Sequence, residues 1–175
     1  MFPVRKYSCM KKKVVGRPDK MMDWHTVMFE IDMLRFAHTR ILRPWNGAQE
    51  ADVWAYLESF LVHYRNLIDF FGKPSSHQTD LTIRRPNVIW PNQKGRPSDA
   101  DLNRMRVMGK RLRDKYEDRR KNDTISRYLQ HCTTFRTAFK VWHVDEMMDD
   151  IRELIELFEK YLPEFKPAAN SILLT

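Results

Sequence analysis

The chain has 175 residues, 42% hydrophobic and 31% charged, with 31 Lys and Arg against 23 Asp and Glu for a net charge of +8. This length and composition allow a buried core without disulfide staples and exclude global disorder. No apolar run approaches the roughly 18 residues of a membrane span, and no hydrophobic stretch follows the basic N-terminus, so a cytoplasmic protein without a secretory signal is predicted.

The chain is predicted to form one helical domain with a segment on either side. Residues 1–20 carry seven basic residues and one acidic residue without helical periodicity, and they are predicted to be a flexible basic leader. The domain is placed at residues 21–165, and residues 166–175 are predicted to be a C-terminal tail. The two cysteines, Cys9 and Cys132, lack metal-ligand spacing and fit a reduced protein.

Five amphipathic helices are predicted from apolar residues that recur at helical spacing, which favours an all-α, five-helix up-and-down bundle. A Ser and an acidic residue three positions later, Ser98 and Asp101, predict the start of the third helix. The predicted helices run from Met21 or Asp23 to Leu42, from Gln49 to Phe71, from Ser98 past Tyr116, from Asp123 onward, and from Val144 to Leu162.

Residues 72–98 form a long proline-rich connection without a helical stripe. Gly72 and Pro74 are interpreted as the residues that stop the second helix. A loop of this length inside a compact domain is typically functional or mobile. Two short stretches within it, Thr82–Ile83 and Val88–Trp90, are expected either to hold it against the core or to form short strands, without a sheet being predicted.

The second helix carries three polar residues inside the apolar stretch FLVHYRNLIDFF. On a helical wheel His63 and Asn66 fall on one flank of the core stripe, while Arg65 falls on the other flank, where Asp69 is its expected ion-pair partner four residues on. Two interpretations stay open. These residues either satisfy neighbouring groups within the bundle, or they contribute to a functional site together with residues of another helix.

Further histidines give different expectations. His131 lies on a flank of the fourth helix, one turn from Arg127, where a His beside an Arg would suit acid–base work on a phosphodiester. His38 lies within the apolar stripe of the first helix, which favours a core His bonded to a neighbour. No His, Cys, Asp or Glu has a recognisable metal spacing, and the few glycines form no phosphate-cradling pattern, so no metal and no cofactor are predicted.

Basic residues are concentrated in residues 81–121, which hold thirteen Lys and Arg against five Asp and Glu. Such a block either attracts nucleic acid through its phosphates or forms an ordinary solvated surface. The residues expected to contact phosphates lie in the third helix: Arg104, Arg106, Lys110, Arg111 and Arg113.

Two stretches resemble small prokaryotic proteins of the HEPN-like type, over roughly residues 24–162. One is YLESFLVHYRNLIDFF, and the other is ISRYLQHCTTFR followed by VWHVDEMMDDI, with a His-x-Thr-x-x-Arg pattern at His131, Thr133 and Arg136. The resemblance implies a helical bundle, often dimeric, from a superfamily of metal-independent RNA-cleaving toxins, antiphage defence proteins and non-catalytic relatives.

The Arg-x4-6-His motif that active members of that superfamily share is degenerate in this chain. Arg65 and Asn66 begin like the motif, but Phe70, Phe71 and Gly72 stand where its His would be. Two functions therefore stay open. One is a non-catalytic interaction module that forms a homodimer or binds another protein. The other is an RNA-binding protein or metal-independent endoribonuclease, with His131, His63, Arg65, Asn66 and Arg127 as the site.

Overall fold

The computed structural model describes residues 20–74, 81–83, 96–118, 124–130 and 141–162. Within these residues the chain is all α-helical, without strands, which confirms the predicted fold class. No helix in this part of the chain is long and apolar enough to cross a membrane. The five helices are α1 (Lys20–Leu42), α2 (Glu50–Gly72), α3 (Asp99–Tyr116), α4 (Ile125–Gln130) and α5 (Val144–Glu159).

Helix α2 lies at the centre of the bundle. It packs along α1 on one side and α3 on another, and it also contacts α4, whereas α5 packs against α3 and α1. Its buried residues are more numerous than those of any other helix in the described ranges, because it faces neighbours on several sides: Phe60, Leu61, Tyr64, Leu67, Ile68, Phe70, Phe71 and Gly72.

A short turn joins α1 to α2 and fixes their antiparallel hairpin. Gly47 has φ of +92°, a conformation that favours glycine. The backbone N–H of Gln49 then donates to the Asp52 carboxylate at 2.8 Å, which caps the first turn of α2. The helix thus begins one residue after the predicted Gln49.

The predicted cap of α3 is confirmed. The backbone N–H of Asp101 donates to the Ser98 hydroxyl at 3.1 Å, and that hydroxyl donates to the Asp101 carboxylate at 2.7 Å. Tyr161, in the turn that follows α5, also donates to this carboxylate at 2.5 Å. The start of α3 is therefore tied to the end of α5.

Residues 81–83 are the described part of the interior of the long connection. The Ile83 N–H donates to the Phe70 carbonyl oxygen at 3.0 Å, and both Thr82 and Ile83 are almost fully buried. The expectation that Thr82–Ile83 pins the connection to the core is therefore confirmed. Of the predicted leader at 1–20, Lys20 belongs to α1, and residues 1–19 lie outside the described residues, as do the stretch at 88–90 and the tail at 166–175.

Helices α2 and α3 meet backbone to backbone at two glycines. A Cβ atom added to Gly72 would lie 2.5 Å from the Gly109 carbonyl oxygen, and one added to Gly109 would lie 2.4 Å from the Phe71 Cβ. Gly72 does not have a positive φ, and Lys73 caps the helix in an extended conformation. Helix α2 does end at Gly72, as predicted, but the glycine is required there by close packing and not by a left-handed conformation.

We expect Gly109→Ala to destabilise the fold by about 2 kcal/mol, because the added methyl group overlaps the backbone of α2. Alanine has the higher helix propensity by about 1 kcal/mol, so the same substitution at an exposed helical position would stabilise the protein. The change in stability expected at Gly109 therefore has the opposite sign. Urea unfolding followed by circular dichroism measures the difference.

The matched control for this substitution is Asn103→Ala, at an exposed position of the same helix. Its free energy of unfolding should change by less than about 0.5 kcal/mol. A Gly109→Ala protein as stable as the wild type would contradict the close approach of α2 and α3.

Candidate functional site

His63 and Asn66 of α2 converge on one carboxylate of α1. His63 Nδ1 lies 2.7 Å from Glu30 Oε2, and Asn66 Nδ2 donates to the same oxygen at 3.0 Å. A carboxylate can only accept, so Nδ1 of His63 carries the proton in this contact. A neutral His63 then has its acceptor lone pair on Nε2.

The Glu30–His63–Asn66 cluster is largely shielded from water. The exposed fractions of the His63 and Glu30 side chains are 13% and 18%, and the Phe29 ring stands edge-on to the imidazole at 5.8 Å. A shielded carboxylate needs donors, and α2 supplies two of them. For His63 and Asn66, the interpretation as residues that satisfy a neighbouring helix therefore holds.

Arg65 lies away from this cluster, as the helical wheel predicts. The expected pair with Asp69 is absent, because Arg113 of α3 takes that carboxylate through its Nε at 2.8 Å. Arg65 forms no ion pair with any residue that the structure describes. The predicted catalytic residues of α2 are thus separated, with His63 and Asn66 on Glu30 and Arg65 elsewhere.

A pocket of about 310 Å³ opens beside the cluster, between α1, α2 and the segment around Thr82. Its wall is mixed, with apolar side chains beside carboxylates and hydroxyl groups. Its lining residues include Val27, Glu30, Asn66, Asp69, Phe70 and Thr82. Pockets of this size, apolar with a few convergent polar groups, are where proteins hold small molecules.

The remaining predicted catalytic residues lie in or after α4. Arg127 is half-buried, and its backbone N–H donates to the Thr124 hydroxyl at 3.2 Å. His131, Thr133 and Arg136 lie outside the described residues. The expectation that His131 approaches Arg127 or α2 therefore stays a prediction.

The basic residues of α3 are mostly paired with acids of the same domain. Arg104 forms an ion pair with Glu153, Lys110 with Asp114 at 2.5 Å, and Arg113 with Asp69. Arg106 and Arg111 form no ion pair with any residue in the described ranges. Three of the five predicted phosphate contacts thus already have a carboxylate.

A second ionic network joins α3 to α5 and is structural in character. The Lys115 ammonium donates to Asp150 at 2.7 Å and to Glu146 at 2.8 Å, and the Tyr116 hydroxyl donates to Asp150 at 2.5 Å. Burial and the bond to Asp150 raise the pKa of Tyr116 to about 12. Burial opposes the charge of Asp150, but the bonds from Lys115 and Tyr116 outweigh it and lower its pKa.

His38 also finds a partner, as expected for a His in the α1 stripe. Its Nε2 lies 2.8 Å from the Asp145 carboxylate, near the start of α5. In the part of the chain that the structure describes, no group of three His, Cys, Asp or Glu is placed to hold a metal ion.

Sequence reasoning missed Glu30 and the pocket. Glu30 lies in α1, where nothing in the local pattern distinguishes it from other surface acids. Its partners come from a different helix, 33 and 36 residues away along the chain.

Comparison of the chain with models of known protein families, with curated protein sequences and with solved structures gives no match.

We expect His63→Ala to lower the free energy of unfolding by about 1–3 kcal/mol at neutral pH, because the shielded Glu30 carboxylate loses one of its two donors. Adding Glu30→Gln should recover part of the loss, since a neutral amide needs less compensation. A double-mutant cycle of the two changes, measured by urea unfolding, should give a coupling of about 1 kcal/mol.

The control histidine is His143, which is exposed at the start of α5 and makes no side-chain cap bond. His143→Ala should change stability by less than about 0.5 kcal/mol. Additive effects of His63→Ala and Glu30→Gln would contradict the energetic link across the α1–α2 interface.

Proposed function

We propose that the protein is a HEPN-like, non-catalytic interaction module that forms a homodimer through one face of its α1–α2 hairpin. The observation that carries this proposal is a strip of exposed aromatic side chains on that face. Phe29, Phe36 and Trp45 expose 55%, 43% and 40% of their surface. Contiguous exposed apolar residues of this size are typical of protein interaction sites.

The strip is ordered by contacts among its own members. The Tyr56 ring stands edge-on to both Phe36 and Trp45, with centroid distances of 5.8 and 5.7 Å. The Arg40 guanidinium lies 5.1 Å from the Phe36 centroid and 5.8 Å from that of Trp45. Trp, Tyr and Arg are the residues that most often dominate binding energy, and here they are held in place before any partner arrives.

Charge placement on α1 favours a second copy of the chain as the partner. Asp32 and Arg40 each lie four residues from Phe36, on opposite sides of it, and Asp32 is exposed. A two-fold axis at Phe36, with the two α1 helices antiparallel, brings Asp32 of each copy opposite Arg40 of the other. The aromatic strip then packs on itself, with a complementary charge pair on either side of the two Phe36 rings.

The polar residues of α2 support a non-catalytic role. His63 and Asn66 both bind Glu30, and the exposed fraction of the imidazole is only 13%. Arg65 is separated from them, so the arrangement supplies no adjacent Arg and His for work on a phosphodiester within α2.

We expect the wild-type protein to sediment as a dimer at micromolar concentration and Arg40→Asp to weaken the dimer at least tenfold, because two Asp side chains would then face each other. The double variant Asp32→Arg with Arg40→Asp restores opposite charges and should restore the dimer. Sedimentation equilibrium at two salt concentrations measures all three proteins.

Val107→Asp is the control, since Val107 is 60% exposed on α3, away from the α1–α2 face. It should leave the dimer intact. A wild-type protein that is monomeric at 100 µM, or a double variant as weak as Arg40→Asp, would contradict the homodimer and leave the face for a different protein.

The second candidate function is RNA binding or metal-independent RNA cleavage in a defence or toxin–antitoxin system. Its support is a groove of about 330 Å³ on the outer face of α3, lined by Asn103, Arg106, Val107 and Lys110. The Nε atom of Arg106 is buried there without a hydrogen-bond partner. Arg106 and Arg111 would contact phosphates, and His131 or His63 would move protons.

For the non-catalytic module we expect no cleavage of a mixed single-stranded RNA by the purified protein in EDTA. Cleavage that disappears in His131→Ala, with folding matched by circular dichroism, would establish the ribonuclease instead. RNA retention without cleavage would assign binding alone. In that case the double variant Arg106→Ala with Arg111→Ala should lose about two phosphate contacts, and the slope of log K against log salt concentration should become shallower by about two.

A further inference from the structure

We infer that the pocket between α1, α2 and the Thr82 segment is a binding site for a small organic cation, an amine or amidine attached to an apolar body. The pocket adjoins the proposed dimer face, since Phe29 of that face contacts His63, the partner of Glu30, but the inference does not depend on the dimer. It depends on three features of the pocket wall: an unpartnered buried hydroxyl, two carboxylate oxygens that face no donor, and an apolar surface beside them.

The hydroxyl of Thr82 is the most unusual of these features. Thr82 is only 1% exposed, and its Oγ1 has no hydrogen-bond partner. Burying a hydroxyl without a partner is unfavourable, and most buried polar atoms in native proteins are satisfied. Because Thr82 also lines the pocket, a ligand that enters it can supply the missing bond.

The two carboxylates of the wall are oriented by the protein but not saturated. Glu30 uses Oε2 for both His63 and Asn66, and Asp69 uses Oδ1 for Arg113. Within the described part of the chain, Glu30 Oε1 and Asp69 Oδ2 accept no hydrogen bond. Fixed carboxylates of this kind are preorganised acceptors for a ligand with several N–H groups.

The composition of the wall decides between classes of ligand. An inorganic metal ion is disfavoured, because no group of three suitable ligands exists among the described residues. Two carboxylates repel an anion, although Lys73 also lies on the wall and already has a partner. Val27, Leu67, Phe70 and Leu81 provide an apolar surface, so the ligand combines a cationic head with an apolar body.

The volume and the neighbouring ion pairs make the cation compatible with the fold. A pocket of about 310 Å³ is at the small end of the range for ligand sites. An amidinium bound there would give each carboxylate a further donor, since Asp69 already accepts from Arg113 and Glu30 from His63.

The test is titration of the full-length protein with benzamidine, measured by calorimetry and by amide shifts in NMR spectra. Benzoate and benzyl alcohol, which have the same ring with an anionic or a neutral head, are the ligand controls. We expect saturable binding of benzamidine and binding of the two controls that is at least tenfold weaker. No saturation by 10 mM benzamidine, or equal binding of benzoate, overturns the inference.

Two variants locate the binding. Glu30→Gln removes the charge and should weaken benzamidine binding about tenfold, the usual effect of losing one charge-assisted hydrogen bond. Thr82→Val should weaken it several-fold while the melting temperature of the free protein stays equal or rises, because the hydroxyl has no partner to lose. If Thr82 had only a structural role, Thr82→Val would lower the melting temperature and leave benzamidine binding unchanged.

Glu153→Gln, which also removes one carboxylate but on the exposed face of α5, is the protein control and should bind benzamidine like the wild type. Wild-type affinity in both Glu30→Gln and Thr82→Val places the probe elsewhere and overturns the assignment. If Glu30→Gln does not fold, Thr82→Val alone decides, since its substitution leaves every protein hydrogen bond intact.

Discussion

The contact between Gly72 and Gly109 fixes the register on which the rest of the described structure depends. Backbone atoms of α2 and α3 meet there, so neither helix can slide or rotate without a steric overlap. The register then repeats along the two helices. Asp69 meets Arg113 on one side of the crossing, and Tyr64 packs edge-on against Tyr116 further along. Two side-chain pairs are thus set by one backbone contact.

The central position of α2 explains how an apolar helix carries polar residues that are bonded. Helix α2 has α1 on one side and α3 on another, so its polar side chains receive partners from both: Asn66 and His63 reach Glu30, while Asp69 reaches Arg113. The pocket lies between these two sets of contacts. Both of its carboxylates have one oxygen held by a neighbouring helix, Glu30 by α2 and Asp69 by α3.

The sequence predicts those features that depend on local spacing. Apolar residues every three or four positions locate the helices, and Ser98 with Asp101 locates the start of α3 to the residue. It does not predict Glu30 as a partner of His63, because that contact depends on how α1 is rotated against α2. Gly72 shows the same limit. A glycine at a helix end has a standard local meaning, and only the position of Gly109 reveals its packing role.

The basic residues of α3 and the aromatic strip are the two surfaces proposed to bind a partner, and they differ in how far their groups are already engaged within the protein. The sequence shows a strongly basic block, yet Arg104, Lys110 and Arg113 each hold a carboxylate, and Lys115 holds two. A phosphate that contacts one of these residues must share it with an acid, and the acid reduces the local positive charge. The aromatic strip carries no such competition. Arg40 lies over Phe36 and Trp45 and is compatible with a partner that packs on the same rings. These contacts support the proposal that the protein associates through apolar burial, whereas Arg106 and Arg111, which form no ion pair among the described residues, leave the second candidate function its remaining basic groups.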